Sequence, residues 1–120
     1  MTNLYRAVLA LAFVFALTLT ASAHTTIVAS NIEAGDTVQE MPDAFECRFG
    51  KSVRLAGVTV ETLAGTPVAI DFKPVKTAGT EFTVAMPDLS NGTYVLKWRA
   101  LAKDGHVMKG QIDFTVVGTS

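Results

Sequence analysis

The chain has 120 residues with one cysteine, and its 10 basic and 11 acidic side chains give a net charge of −1 at neutral pH. This length accommodates one small domain. No basic patch stands out, so the composition does not indicate nucleic-acid binding, and a single cysteine excludes an intramolecular disulfide.

The N-terminus has the features of a secretory signal peptide. Arg6 precedes an apolar run at residues 7–19, and the small residues Ala21 and Ala23 stand just before His24. A charged start, an apolar segment of this length and an A-x-A end are typical of a cleavable leader, and the run is too short for a transmembrane span. We predict a signal helix at residues 1–23, removed on export, and one mature domain at residues 24–120 with a net charge of −2.

Beyond the leader, apolar residues alternate with polar ones, which is the pattern of strands with one buried face. Turn-forming pairs such as Asn91-Gly92 and Asp104-Gly105 separate these stretches. We predict seven short strands near residues 26–30, 45–49, 58–61, 68–72, 82–86, 94–100 and 112–116. This pattern indicates an all-β fold: an antiparallel Greek-key β-sandwich or barrel, immunoglobulin-like or cupredoxin-like.

Three side chains have structural interpretations. Cys47 shares a predicted strand face with Phe45 and Phe49, so it is expected to be a small buried hydrophobe. Trp98 falls on the apolar face of its strand and is assigned to the core. Residues 89–94 resemble a tyrosine corner, in which the hydroxyl of Tyr94 bonds back to the preceding loop.

The two histidines of the chain are the candidate metal ligands. Cleavage after Ala23 would make His24 the first residue, with a free α-amine beside its imidazole. His106 follows Asp104-Gly105, a pair that a hairpin turn also explains without any function. If the strands alternate in direction, the first strand starts and the sixth ends at the same end of the sandwich. His24, Asp104 and His106 would then converge there.

Such a site offers an amine, two imidazoles and one carboxylate. Nitrogen-rich sets favour Cu(II), and Zn(II) is the alternative. Ca(II) wants more oxygens, and Cu(I) wants sulfur, for which only Met108 lies close to His106 in the sequence. The residues supply no Ser/His/Asp set, paired-carboxylate cleft or phosphate loop, so we do not predict an enzyme.

Residues 94–106 carry the specific motif, a Tyr-x-x-x-Trp-Arg stretch that leads into Asp-Gly-His. Gly35-Asp36-x-Val38, Pro42, Gly110 and Phe114-Thr115-Val116 add to it. With these features the chain resembles the CopC family of bacterial periplasmic copper-binding proteins. The resemblance implies a small Greek-key β-barrel or sandwich and Cu(II) held by the amine and imidazole of His24, by His106 and by Asp104. It also implies copper binding, storage or delivery in the periplasm, often beside a CopD-type inner-membrane protein.

The chain departs from the family pattern in three places. The family often begins His-x-His, whereas this chain reads His24-Thr25-Thr26. It lacks the Met-rich loop that many members use for Cu(I). Lys51 stands where a family Glu can lie near the copper. These departures favour a Cu(II)-only member. We also expect a monomer.

Two other functions remain open from the sequence. One is a β-sandwich interaction module with an adventitious metal site. The other is copper-dependent oxidation, which ranks lower because the mature chain has no long loops to build a substrate surface.

Overall fold

A computed structural model describes residues 27–118 of the protein. The predicted all-β fold is confirmed, and this part of the chain contains no helix that could span a membrane. The predicted signal helix at residues 1–23 and His24 lie outside the described residues. The strands are β1 (Ile27–Ser30), β2 (Asp36–Val38), β3 (Ala44–Thr62), β4 (Pro67–Val68), β5 (Gly79–Ala85), β6 (Gly92–Ala102) and β7 (Val107–Val116).

Strand β3 connects the two halves of the sheet. It pairs with β1 as far as Phe49 and with β5 up to Arg48 and again at Val53, and from Val53 onward it pairs with β6 and β4. The register shifts between Leu55 and Gly57, which is the signature of a bulge that bends a strand. The sheet order is β1-β3-β6-β7-β2, so the sheet curls round as a sandwich with the apolar faces inside.

Three details of the predicted strands are wrong. Residues 45–49 and 58–61 belong to one 19-residue strand, β3. The short strand β2 was not predicted, and it pairs with β7 in parallel, so the sheet is not wholly antiparallel. Of the predicted strand at 68–72, only Val68 lies in a strand. Ile70 and Phe72 instead pack against the core from an extended segment without ladder hydrogen bonds.

Aromatic rings join the two halves of the core. The ring of Phe49 meets Trp98 edge-on with centroids 5.2 Å apart, and Phe82 edge-on at 5.8 Å. Edge-to-face pairs of this kind add to the stabilisation from burial. The core positions of Cys47 and Trp98 are confirmed, with exposures of 5% and 6%.

The tyrosine corner is also confirmed. The hydroxyl of Tyr94 donates to the carbonyl oxygen of Ser90 at 2.7 Å, and its ring stacks on Phe114. This bond fixes the loop that leads into β6. Strand β6 in turn carries the loop with Asp104 and His106.

Candidate metal centre

The candidate metal ligands of the described chain lie on a tight hairpin between β6 and β7. The Ala102 N–H donates to the carbonyl of His106 at 2.9 Å, and the Gly105 N–H donates to the carbonyl of Ala102 at 3.0 Å. Gly105 has φ of +94°, a conformation that glycine adopts without the steric cost of a Cβ. Loop 103–106 is therefore held by its own backbone.

Within this loop, one carboxylate contacts His106 twice. The His106 N–H donates to Asp104 Oδ1 at 3.1 Å, and Asp104 Oδ2 lies 2.8 Å from His106 Nδ1. These two hydrogen bonds, the backbone one first, hold the pKa of Asp104 below its usual value. The carboxylate therefore stays ionised at neutral pH.

This contact also determines which imidazole nitrogen is available. A carboxylate beside Nδ1 favours the tautomer that carries its proton there, and this tautomer leaves the lone pair on Nε2. The side chains of His106 and Asp104 are 80% and 65% exposed. The hairpin thus offers Nε2 of His106 to an ion from solvent, with Asp104 fixing the ring. The sequence left open whether Asp104 acts as a ligand or as a hydrogen-bond partner, and in the structure its carboxylate contacts the His106 ring.

The hairpin alone makes an incomplete site. Residues 27–118 contain no group of three or more His, Cys, Asp or Glu side chains that could hold a metal. Cys47 is buried, and burial raises the pKa of its thiol to about 11, which keeps it protonated. Met108 is half-buried and packs against the core. Further ligands would have to come from outside the described residues, where the predicted ligand His24 lies.

Strand register places the start of β1 relative to loop 103–106. β1 and β6 are both antiparallel to β3, so they run in the same direction. Ile27 at the start of β1 lies opposite Phe49, and Ala102 at the end of β6 lies opposite Val53. The start of β1 and loop 103–106 therefore both lie near residues 50–52, the middle of β3. Lys51 is exposed in this segment.

The comparisons with known proteins give one consistent family. The CopC domain model matches residues 27–117. The chain belongs to the CopC family. A relative, "Copper resistance protein C" of Xanthomonas campestris pv. juglandis, is 38% identical over 52 residues, which is 42% of this chain and 41% of that protein. The match thus spans less than half the length of that curated relative.

Solved structures agree with the family. CopC from Methylosinus trichosporium OB3b superposes with a TM-score of 0.66 at 28% identity, over 81% of this chain and 97% of that chain. PcoC from Escherichia coli, described as a methionine-rich copper resistance protein, gives a TM-score of 0.59 at 24% identity, over 78% and 99%. In the present CopC-family chain, the methionines of the described part pack half-buried against the core: Met41, Met86 and Met108.

Proposed function

We propose that this CopC-family protein binds Cu(II) in the periplasm and serves copper homeostasis or resistance through binding, storage or delivery. The observation that supports this proposal most is that Nε2 of His106 is open to solvent. It lies on a hairpin whose shape Asp104 and Gly105 maintain. The amine and imidazole of His24, freed by cleavage of residues 1–23, are the proposed remaining nitrogens. Family membership supports copper as the cargo.

The chemistry of this set favours Cu(II) over other divalent ions. Amine and imidazole nitrogens in a tetragonal arrangement suit Cu(II), which also has the highest affinity among the divalent first-row metals. The carboxylate of Asp104, hydrogen-bonded to Nδ1, would hold the plane of the ring. The site needs no catalytic group, and we propose a binding protein rather than an enzyme.

The positions of the start of β1 and of loop 103–106 support the proposal that His24 and His106 converge on one metal ion. The start of β1 and loop 103–106 approach the same segment of β3. Two residues in the sequence, Thr25 and Thr26, lie between the proposed ligand His24 and Ile27 at the start of β1. Export by the leader and exchange with a CopD-type inner-membrane protein are further parts of the proposal, as is a monomeric state.

An added N-terminal residue tests the proposal most directly. A mature protein with one glycine placed before His24 keeps both imidazoles but converts the proposed amine ligand into an amide. Cu(II) affinity should fall at least a hundredfold, and the electron paramagnetic resonance spectrum should lose a nitrogen ligand. The mass of the exported protein establishes whether cleavage follows Ala23.

Two controls separate the parts of this site. A His106→Ala variant should lose affinity while its circular dichroism stays unchanged, because the His106 side chain is 80% exposed and lies outside the core. A Lys51→Ala variant changes a neighbouring exposed cation and should not weaken binding. Full Cu(II) affinity in both the extended protein and His106→Ala would leave only an adventitious site on an interaction module.

A further inference from the structure

The outer edge of β7 is open along its first half. β2 pairs with β7 only from Phe114 onward, and just before that the Gly35 N–H donates to the carbonyl of Asp113 at 2.7 Å. Backbone groups of a strand point alternately to its two sides, so Lys109 and Gln111 direct their N–H and C=O to this same edge. Among residues 27–118 no strand pairs with β7 there.

A groove of about 380 Å³ lies beside this edge, between β7 and β1. Trp98, Gly110 and Ile112 line it on one side, and Ile27 and Ala29 on the other. A strand added to β7 would send every second side chain into this groove. The apolar part of its lining favours small apolar side chains at those positions, and Ser30 and Glu33 also line the groove on the β1 side.

A cation, Lys109, stands on the opposite, outward face of the sheet at the same edge. It lies directly across from Arg99 of β6, and both side chains are exposed. The guanidinium of Arg99 leans over Gly57 of β3, away from β7, where an added Cβ would lie 3.5 Å from Nη2. Lys109 is therefore the cation at the open edge, and within residues 27–118 it forms no salt bridge.

We propose that β7 accepts an extended segment of a partner protein as an added strand, at Lys109 and Gln111. Acidic side chains on the outward face of that segment would meet Lys109, and small apolar side chains would enter the groove. The open backbone supplies the attachment, and the two faces supply the selectivity.

Charge distribution argues for an acidic protein segment over other occupants. A second copy of this chain, paired antiparallel through its own β7 about Lys109, would place the Lys109 cations of both copies opposite each other. An anionic membrane would be repelled farther along the same face, where Asp113 is exposed and Glu61 is half-buried beside Lys97. A short acidic segment can pair with Lys109 without reaching Asp113 or Glu61.

The site lies close to the candidate metal loop. Lys109 lies on β7, three residues after His106 in the sequence. Strand addition itself does not depend on copper, so its test uses metal-free protein. Only the inference that the partner meets the copper rests on the proposed function.

The test titrates an end-capped octapeptide of alternating glutamate and valine into the isotope-labelled, metal-free mature protein. The amide signals of Lys109 and Gln111 should shift, and their hydrogen exchange should slow at least tenfold. A Gln111→Pro variant removes an outward N–H without breaking a bond to β6 and should weaken binding at least tenfold. Gln111→Ala, which keeps that N–H, should bind normally. Lys109→Glu should also weaken binding, and it preserves the test if the proline variant does not fold.

Several results would overturn the assignment. Equal binding of a peptide N-methylated at alternate amides would mean charge attraction without strand pairing. Equal binding of the matching lysine–valine peptide would remove the role of Lys109. Binding to phosphatidylglycerol vesicles without binding to the peptide would assign the face to a membrane. Dimerisation abolished by Gln111→Pro would assign it to a second copy.

Discussion

Replacing Gly110 with alanine should destabilise the fold through Trp98. An added Cβ at Gly110 would lie 2.6 Å from Cζ2 of Trp98 and 2.7 Å from its Cε2 and Nε1. Carbon atoms in good contact stand about 3.5–4.0 Å apart, so the ring would have to move by about 1 Å. It cannot move freely, because Trp98 is 6% exposed and packs edge-on against Phe49.

The magnitude follows from two opposing effects. Overpacking a dense core costs about 1–3 kcal/mol, whereas exchanging glycine for alanine at a compatible position gains about 0.4–1 kcal/mol through the unfolded state. The net loss should be about 1–2 kcal/mol. For a domain near 100 residues this lowers Tm by roughly 5–15 °C.

Urea and thermal unfolding followed by the fluorescence of Trp98, the single tryptophan of the chain, measure the effect. Near-ultraviolet circular dichroism reports the displaced ring. Gly79→Ala is the matched control, because an added Cβ there has no neighbour within 4 Å, and it should be neutral or stabilising. A Gly110→Ala protein as stable as the wild type, with an unchanged near-ultraviolet spectrum, would refute the packing argument.

Three side chains, Cys47, Tyr94 and Asp104, give further predictions. With its pKa raised to about 11, the Cys47 thiol is about one part in a thousand thiolate at pH 8, so Ellman's reagent should react only after unfolding. Because the unfolded thiol ionises at lower pH than the folded one, stability should fall between about pH 9 and 11, and less so in Cys47→Ala. Tyr94→Phe removes the bond to the Ser90 carbonyl and should cost about 1 kcal/mol in urea unfolding. Asp104→Asn should weaken Cu(II) binding about 10–100-fold in competition titrations by loosening His106, and an unchanged affinity would mean that the ring needs no such support.

Alternation in the sequence predicted burial better than it predicted hydrogen bonding. Ile70 and Phe72 alternate with polar residues and do pack against the core, yet they lie outside any strand. The alternation of apolar and polar side chains depends on which face of the segment meets the core. Ladder pairing depends on a neighbouring strand, which the local sequence does not specify.

The fusion of two predicted strands into β3 has a similar cause. Residues 50–52 are polar or lack a side chain and are all exposed, so they resemble a turn in the sequence. The bulge between Leu55 and Gly57 then shifts the phase of alternation, which hides the continuity of the strand. β2 has only three residues and pairs in parallel with a strand distant in sequence, so its pairing is set by the tertiary fold.

The candidate site, like the fold, could be predicted only in part from the sequence. The Asp-Gly-His triplet and its turn could be predicted because a left-handed glycine and a short carboxylate act locally. The orientation of the His106 ring, with Nδ1 at the carboxylate, required coordinates. The open edge of β7 could not be foreseen, because it depends on where β2 stops pairing.

The two proposed sites should influence each other through charge. Lys109 lies on β7, which follows His106, and its positive charge opposes a divalent cation at Nε2. An acidic strand beside Lys109 would neutralise that charge, so it should tighten Cu(II) binding, and by linkage Cu(II) should tighten binding of the strand. At about 10 Å in water each charge pair contributes only about 0.4 kcal/mol, so the coupling should be a few-fold and should fade with salt. A docked acidic partner would therefore retain copper at this site, and transfer would require the partner to supply metal ligands of its own.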